Sequence, residues 1–395
     1  MKRQSESSER TTNNTASMDR TNQRVALSTA ILASFMTPFM ISSVNIALPV
    51  IGNEYSLNAG TLGWIATSYL LAAAMVLMPA GKLADIVGRK KFYAIGLGLY
   101  SGASFLCTLA ASGPSLILFR IFQGFGAGVM FATGLAIVTS VFPIEKRGMA
   151  LGIVAGATYL GLSVGPVVGG LLTHYLGWQS IFWSTAPVGL IALALVLLGL
   201  KGEWAEARGE SFDLAGSIIL AISLPAMIYG TSSLPSPLGI LLLAAGLLGI
   251  AGFFLLEARV PFPIFPVTLL RDNRTFAFSS LAALINYSST FAVTFLLSLY
   301  LQHIQGLPPQ AAGTVLVAQP IMMAAVSPLA GRLSDKIEVR VLASIGMALV
   351  ALGLALLAFL DNQTQAGLRC GRFDRPGSRI RLVFLSQHER HHEFR

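Results

Sequence analysis

Gly81–Lys91 reads GKLADIVGRKK. It gathers one acid, four bases and two glycines between two apolar runs. Each run is about twenty residues long, enough to cross a hydrocarbon core of roughly 30 Å. A shorter echo, GRLSD, occupies Gly331–Asp335, again directly after an apolar run. Two copies of one turn, far apart in a chain, imply a duplicated membrane architecture.

The composition agrees. The 395 residues are 54% hydrophobic and only 11% charged, where a soluble domain carries roughly 25% charged residues. Eleven apolar runs are expected to span, at 25–51, 61–80, 92–111, 116–141, 149–173, 180–200, 213–232, 238–256, 276–301, 311–330 and 341–360. They do not alternate in polarity, so they read as helices and not as barrel strands. The fold class is therefore an all-α membrane protein. Residues 1–24 are polar and carry no signal-peptide pattern, so a disordered cytoplasmic tail is expected there.

Lys and Arg set the orientation. Lys82, Arg89, Lys90, Lys91, Lys146, Arg147, Lys201, Arg208, Arg259, Arg271, Arg274, Arg332, Lys336 and Arg340 all fall in one set of loops. The alternate loops hold neither Lys nor Arg. This places the N-terminus in the cytoplasm of a multi-pass protein of the inner or plasma membrane. It also accounts for the +9 net charge without nucleic acid. Cys107 and Cys370 imply no disulfide framework. No metal, nucleotide or nucleophile constellation is present, so no cofactor and no enzymatic reaction are expected.

After Leu360 the composition changes. Residues 361–395 hold seven Arg, no Lys and no spanning run. This tail is expected to be a frameshift or truncation product, the alternative being a genuine exterior tail. His388, His391 and His392 lie within it and are not expected to bind metal.

Arg120 is the one formal charge well inside a span, and an intramembrane Arg is by default functional. Gln123, Gly124, Ala127 and Gly128 share its helical face. Asn45 is its expected partner at similar depth; the alternative is an Arg snorkelling to the surface. In the next span Gly161, Gly165 and Gly169 form a small-residue stripe, and Pro166 removes a backbone donor and bends the helix. The stripe reads as packing or as a pivot. In the opening stretch Gly81, Asp85, Gly88 and Arg89, with Gly331 and Asp335 in the echo, read as conformational latches; the alternative is a positive-inside anchor, which explains the bases but not Asp85 or the glycines. Candidate cavity residues are Tyr69, Tyr159, Asn286, Tyr287 and Gln319.

Together these stretches resemble the major facilitator superfamily, and within it the fourteen-span drug:proton antiporter family. The loop signature matches at Gly81, Leu83, Ala84, Asp85, Gly88, Arg89 and Lys90, with Ile86 where a base is usual. The span-four signature matches at Leu116, Arg120, Gln123, Gly124, Gly126 and Ala127. The exporter signature of span five matches at Gly161, Gly165, Pro166, Gly169 and Gly170, and NIALP at Asn45–Pro49 fits span one.

The resemblance implies a six-helix half over 25–200, two linker helices over 201–275 and a partial second half over 276–360. It implies multidrug efflux by proton antiport with alternating access, acting on a small lipophilic substrate within the bilayer. Arg120 and Gln123 would serve coupling. The alternatives are export of an endogenous metabolite, or an inactive remnant. Many members carry an Asp where this chain has Met40, and the Asp85 loop of the family docks near a helix beyond the eleven counted here. Oligomeric state is left open.

Overall fold

The computed structural model describes residues 2–305, 313 and 315–358. Residues 361–395, with Cys370, His388, His391 and His392, lie outside them, as does most of the 302–310 loop. The described residues form helices joined by turns and by two longer connections, 200–213 and 258–267, with no strand among them. The helices are α1 (Lys2–Glu54), α2 (Ala59–Val87), α3 (Arg89–Thr108), α4 (Gly113–Val141), α5 (Ile144–Leu176) and α6 (Gln179–Gly199). Then follow α7 (Leu214–Ser232), α8 (Pro237–Glu257), α9 (Thr268–Asp272), α10 (Arg274–Leu299), α11 (Ala318–Ser334) and α12 (Val339–Ala358). A π turn, Tyr300–Ile304, ends α10.

Three sequence expectations gain detail. First, the polar start is continuous with the first span, α1 running from Lys2 to Glu54. No Gly or Pro occurs before Pro38, and a helix already nucleated on a packed segment extends at the low cost of propagation. Its spanning part is Arg20–Glu54. Second, of the eleven expected spans, nine are, among the described residues, helices long and apolar enough to cross a membrane. The other two are α3, which begins with three bases, and α11, described over 17 residues. Third, the Gly81–Lys91 stretch is not a loop. Residues 81–87 end α2 and Arg89 begins α3, so only Gly88 is non-helical. Its φ of 136° is open to glycine and strained for any residue with a Cβ.

Short polar caps delimit the other helices. The Asn58 side chain accepts from Thr61 N–H at 2.8 Å, and Ser112 and Ser115 cap each other's backbone at the start of α4. Ser236 and Asn273 do the same for α8 and α10, both at 3.0 Å.

The core lies within α1–α6. α1 packs along α5 and α6, α2 along α4, and α3 along α4 and α6. Met36, Tyr69, Tyr93, Leu97, Tyr100 and Met130 fill its centre. Met40, Val44, Ile65, Leu116, Trp178 and Phe182 fill one end. At that end Glu54 accepts from the Trp178 indole at 2.7 Å, and the Tyr55 hydroxyl donates to the Ala110 carbonyl at 2.6 Å. At the other, basic end Asn22 exchanges two hydrogen bonds with the Lys201 backbone, 3.0 and 2.9 Å. α7 and α8 pair as a hairpin beside α2, and α11 lies along α5. The α10–α12 helices turn residues such as Leu284, Leu329 and Leu349 outward, which a lipid surroundings permits.

Candidate functional site

Arg120 and Gln123 are buried on α4, 1% and 0% exposed. Arg120 Nη1 donates to Gln123 Oε1 at 2.7 Å, and Arg120 Nε donates to the Ile65 carbonyl of α2 at 3.1 Å. Gln123 Nε2 donates to Ser104 Oγ of α3 at 2.7 Å, and Ser104 Oγ donates to the Tyr100 carbonyl at 2.7 Å. The guanidinium lies 4.2 Å from the Tyr69 ring centroid and 5.9 Å from that of Phe182. A buried cation with no carboxylate bound to it among the described residues is thus held by carbonyl and amide oxygens and by ring faces. Gly124, Gly126 and Gly128 let α2 and α3 come this close: a Cβ on Gly124 would collide with the Tyr69 carbonyl, and one on Gly126 would lie 2.5 Å from Tyr100 N.

Two of the expected residues take different places. Asn45 is exposed on α1 and does not partner Arg120, because the buried face of α1 is set by Met40, Val44 and Ala47. Tyr69 is fully buried under Arg120 and so does not face an open cavity. Tyr159 of α5 and Tyr287 of α10 are near enough to interact. Gln319 Oε1 accepts from Thr294 Oγ1 at 3.4 Å, and Asn286 is half-buried on α10.

The basic end carries two polar junctions. In one, Arg89 Nε binds Asp85 Oδ1 at 2.6 Å, while its Nη1 binds Ser140 Oγ at 2.6 Å and Glu206 Oε1 at 2.8 Å. Burial works against the Arg89 charge, but the hydrogen bonds and charges of Asp85 and Glu206 outweigh it and raise its pKa. Around this centre, Lys82 binds Glu210 at 2.5 Å and the Lys90 backbone N–H binds Glu203 Oε1 at 2.7 Å. The Trp204 carbonyl accepts from Arg89 N–H at 2.8 Å, and the Asp85 carbonyl from Ala207 N–H at 3.0 Å. Among the described residues, the Asp85 turn therefore rests on the α6–α7 connection.

In the other junction, both oxygens of Asp335 accept backbone N–H groups near the start of α5, from Gly148 at 2.7 Å and Met149 at 2.8 Å. A carboxylate suits that helix end. Gly148, Gly152 and Gly156 face α11, where a Cβ on Gly152 would lie 2.7 Å from the Ser327 carbonyl and 2.9 Å from Gly331 Cα. Gly161, Gly165 and Gly169 face α1 instead, against Phe35, Ser42 and Ser43. Ser43 Oγ donates to the Gly165 carbonyl at 2.9 Å, just before Pro166. So α5 has two glycine faces, one for each neighbour.

The family model described as Major Facilitator Superfamily matches residues 30–368. The chain belongs to this superfamily. It is therefore a member of a family of membrane transporters and not of an enzyme family. It is 32% identical over 356 residues to the riboflavin transporter RibZ of Clostridioides difficile, covering 87% of this chain and 77% of that protein. It is 32% identical to the multidrug resistance protein Stp of Mycobacterium tuberculosis, covering 88% and 66%. It is also 32% identical to the multidrug transporter protein MdtP of Bacillus subtilis, covering 85% and 62%. The chain thus spans about two-thirds of the length of Stp and less of MdtP.

Within this superfamily member, motif reading located the Arg120–Gln123 pair, the Asp85 turn and its echo. It missed Ile65, Ser104 and Phe182 around Arg120, and the acids Glu203, Glu206 and Glu210. The signal for the acids was present: three carboxylates within 203–210 of a chain with 18 in all, in the loop set that holds the bases.

Proposed function

We propose that the chain moves small lipophilic molecules out of the cell by alternating access. The N-terminus and the basic end face the cytoplasm, which the Lys and Arg distribution supports. The observation that carries this reading is the α5 helix. It is glycine-faced toward α1 on one side and toward α11 on the other, and Asp335 fastens it to α11 by two hydrogen bonds. Small-residue faces let helices slide or tilt at little cost in packing, and a polar clasp at one end makes one arrangement preferred. Arg120 and Gln123 couple α4 to α2 and α3, so that the six-helix half moves as one body. The Arg89 centre closes that half at its cytoplasmic face.

The test is accumulation of a fluorescent lipophilic cation in inverted vesicles bearing the chain, energised by a proton gradient. Gradient-driven uptake that collapses with an uncoupler is the expected result; uptake equal to that of empty vesicles refutes the reading. A second reading, export of a metabolite, is favoured by the relative named for riboflavin. Riboflavin offered in the same vesicles separates the two.

A further inference from the structure

The buried acids among the described residues are Asp213 and Glu257, 8% and 2% exposed. They lie 44 positions apart in sequence and meet at the basic end of the α7–α8 hairpin. Asp213 caps α7, its Oδ1 accepting from Gly216 N–H at 2.9 Å. Glu257 ends α8, its Oε2 accepting from Phe265 N–H at 2.9 Å. The remaining oxygens, Asp213 Oδ2 and Glu257 Oε1, are buried and have no donor. Both point at the same spot beside Gly216, where a Cβ would collide with each, and the two side chains are within hydrogen-bonding reach. Two acceptor oxygens cannot hydrogen-bond each other without a proton between them.

We propose that Asp213 and Glu257 share one bound proton, carried on Glu257 Oε1 and donated to Asp213 Oδ2. The two helix ends set this polarity. Asp213 sits at the positive N-terminus of α7 and is favoured as the anion; Glu257 sits at the negative C-terminus of α8 and is favoured neutral. The Phe265 N–H then meets the carbonyl oxygen of a neutral carboxyl, an acceptor in either state. A divalent cation fits less well, since two unengaged oxygens fall short of the six or more that such an ion collects. No base competes. Glu210 is paired with Lys82 and Asp85 with Arg89, Arg208 and Arg259 are exposed, and no ion pair among the described residues includes Asp213 or Glu257. The proton comes from and returns to the aqueous phase at that end of the hairpin. Its loss sets two anions face to face beside Gly216 and drives Glu257 off Phe265. The connection from α8 toward α10 is then released, so the pair reports proton availability to the second half.

The site is independent of what the protein transports, and its test needs no flux. Infrared difference spectroscopy of the purified full chain at pH 7 is expected to show a carboxylic C=O stretch that shifts in D2O. The exposed carboxylates are ionised at that pH. Glu257→Gln keeps an amide donor for Asp213 and an acceptor for Phe265, and is expected to abolish the band. Should that variant not fold, Asp213→Asn keeps Glu257 and changes only its partner, which must shift or remove the band. A wild-type chain without the band, a band that persists in Glu257→Gln, or one that stays unmoved in Asp213→Asn overturns the proposal.

Discussion

Arg89 Nη1 meets Glu206 Oε1 at 2.8 Å, tying the α2–α3 turn to the α6–α7 connection across 117 residues. The same guanidinium holds Asp85 through Nε at 2.6 Å. The two acids are not equivalent: the Asp85 side chain is 34% exposed and that of Glu206 68%. Exposed pairs contribute little, because water screens them and long side chains lose freedom in making them.

Glu206→Ala is therefore expected to cost less than about 1 kcal/mol. Asp85→Ala leaves Nε of a largely buried guanidinium without its acceptor and is expected to cost about 2 kcal/mol. Thermal inactivation in detergent ranks them. Equal losses from the two variants contradict this ordering.

Arg120→Leu leaves the Ile65 carbonyl and the Gln123 amide without their partner and is expected to cost about 3 kcal/mol. Arg120→Lys does not restore it, since an ammonium lacks the planar fork and the stack on Tyr69. The double variant Arg120→Leu with Gln123→Leu also removes the stranded Gln123 amide and should recover part of the stability. Vesicle transport by the double variant decides the role: absent flux in a stable chain supports coupling through Arg120, and normal flux confines it to structure.

Asp335→Asn replaces one of two acceptor oxygens by a donor that faces Gly148 or Met149 N–H. The expected cost is about 2 kcal/mol on the α5–α11 junction. Cysteines introduced by Met149→Cys and Ser334→Cys, in a chain carrying Cys107→Ser and Cys370→Ser, measure it. Cross-linking yield should fall when Asp335→Asn is added, and an unchanged yield shows that the carboxylate does not hold the junction.

Gly152→Ala places a methyl 2.7 Å from the Ser327 carbonyl, so α5 and α11 must separate, at a cost of about 1–3 kcal/mol. Gly102→Ala meets nothing within 4 Å and serves as the control. Transport is expected to fall for the first and to hold for the second. Equal activity in both argues against close approach of these helices during the cycle.

Much of this was legible in the residues. Runs of about twenty apolar residues announce helices because the bilayer leaves the backbone no other way to satisfy itself. Arg120 stood out because a charge inside such a run is costly. The partners were not legible. Asn45 looked suited to Arg120 by depth alone, yet it lies on the exposed face of α1, and depth says nothing about the direction in which a side chain points. Tyr69 looked like a cavity residue, yet it is the platform under the guanidinium. Glu203, Glu206 and Glu210 read as ordinary loop acids until the loop came to rest on Arg89.

The sequence by itself determined the class of fold, the number of long apolar segments to within two, and the motifs that mark the superfamily. Those depend on composition and on spacing along one helix, which are local. Only the tertiary structure decided which glycine face of α5 meets which neighbour, and that Gly81–Lys91 is two helices parted by Gly88. It alone brought Asp213 to Glu257. Such pairings depend on the rotation of each helix about its axis, and that is settled by side chains from segments far away in the chain.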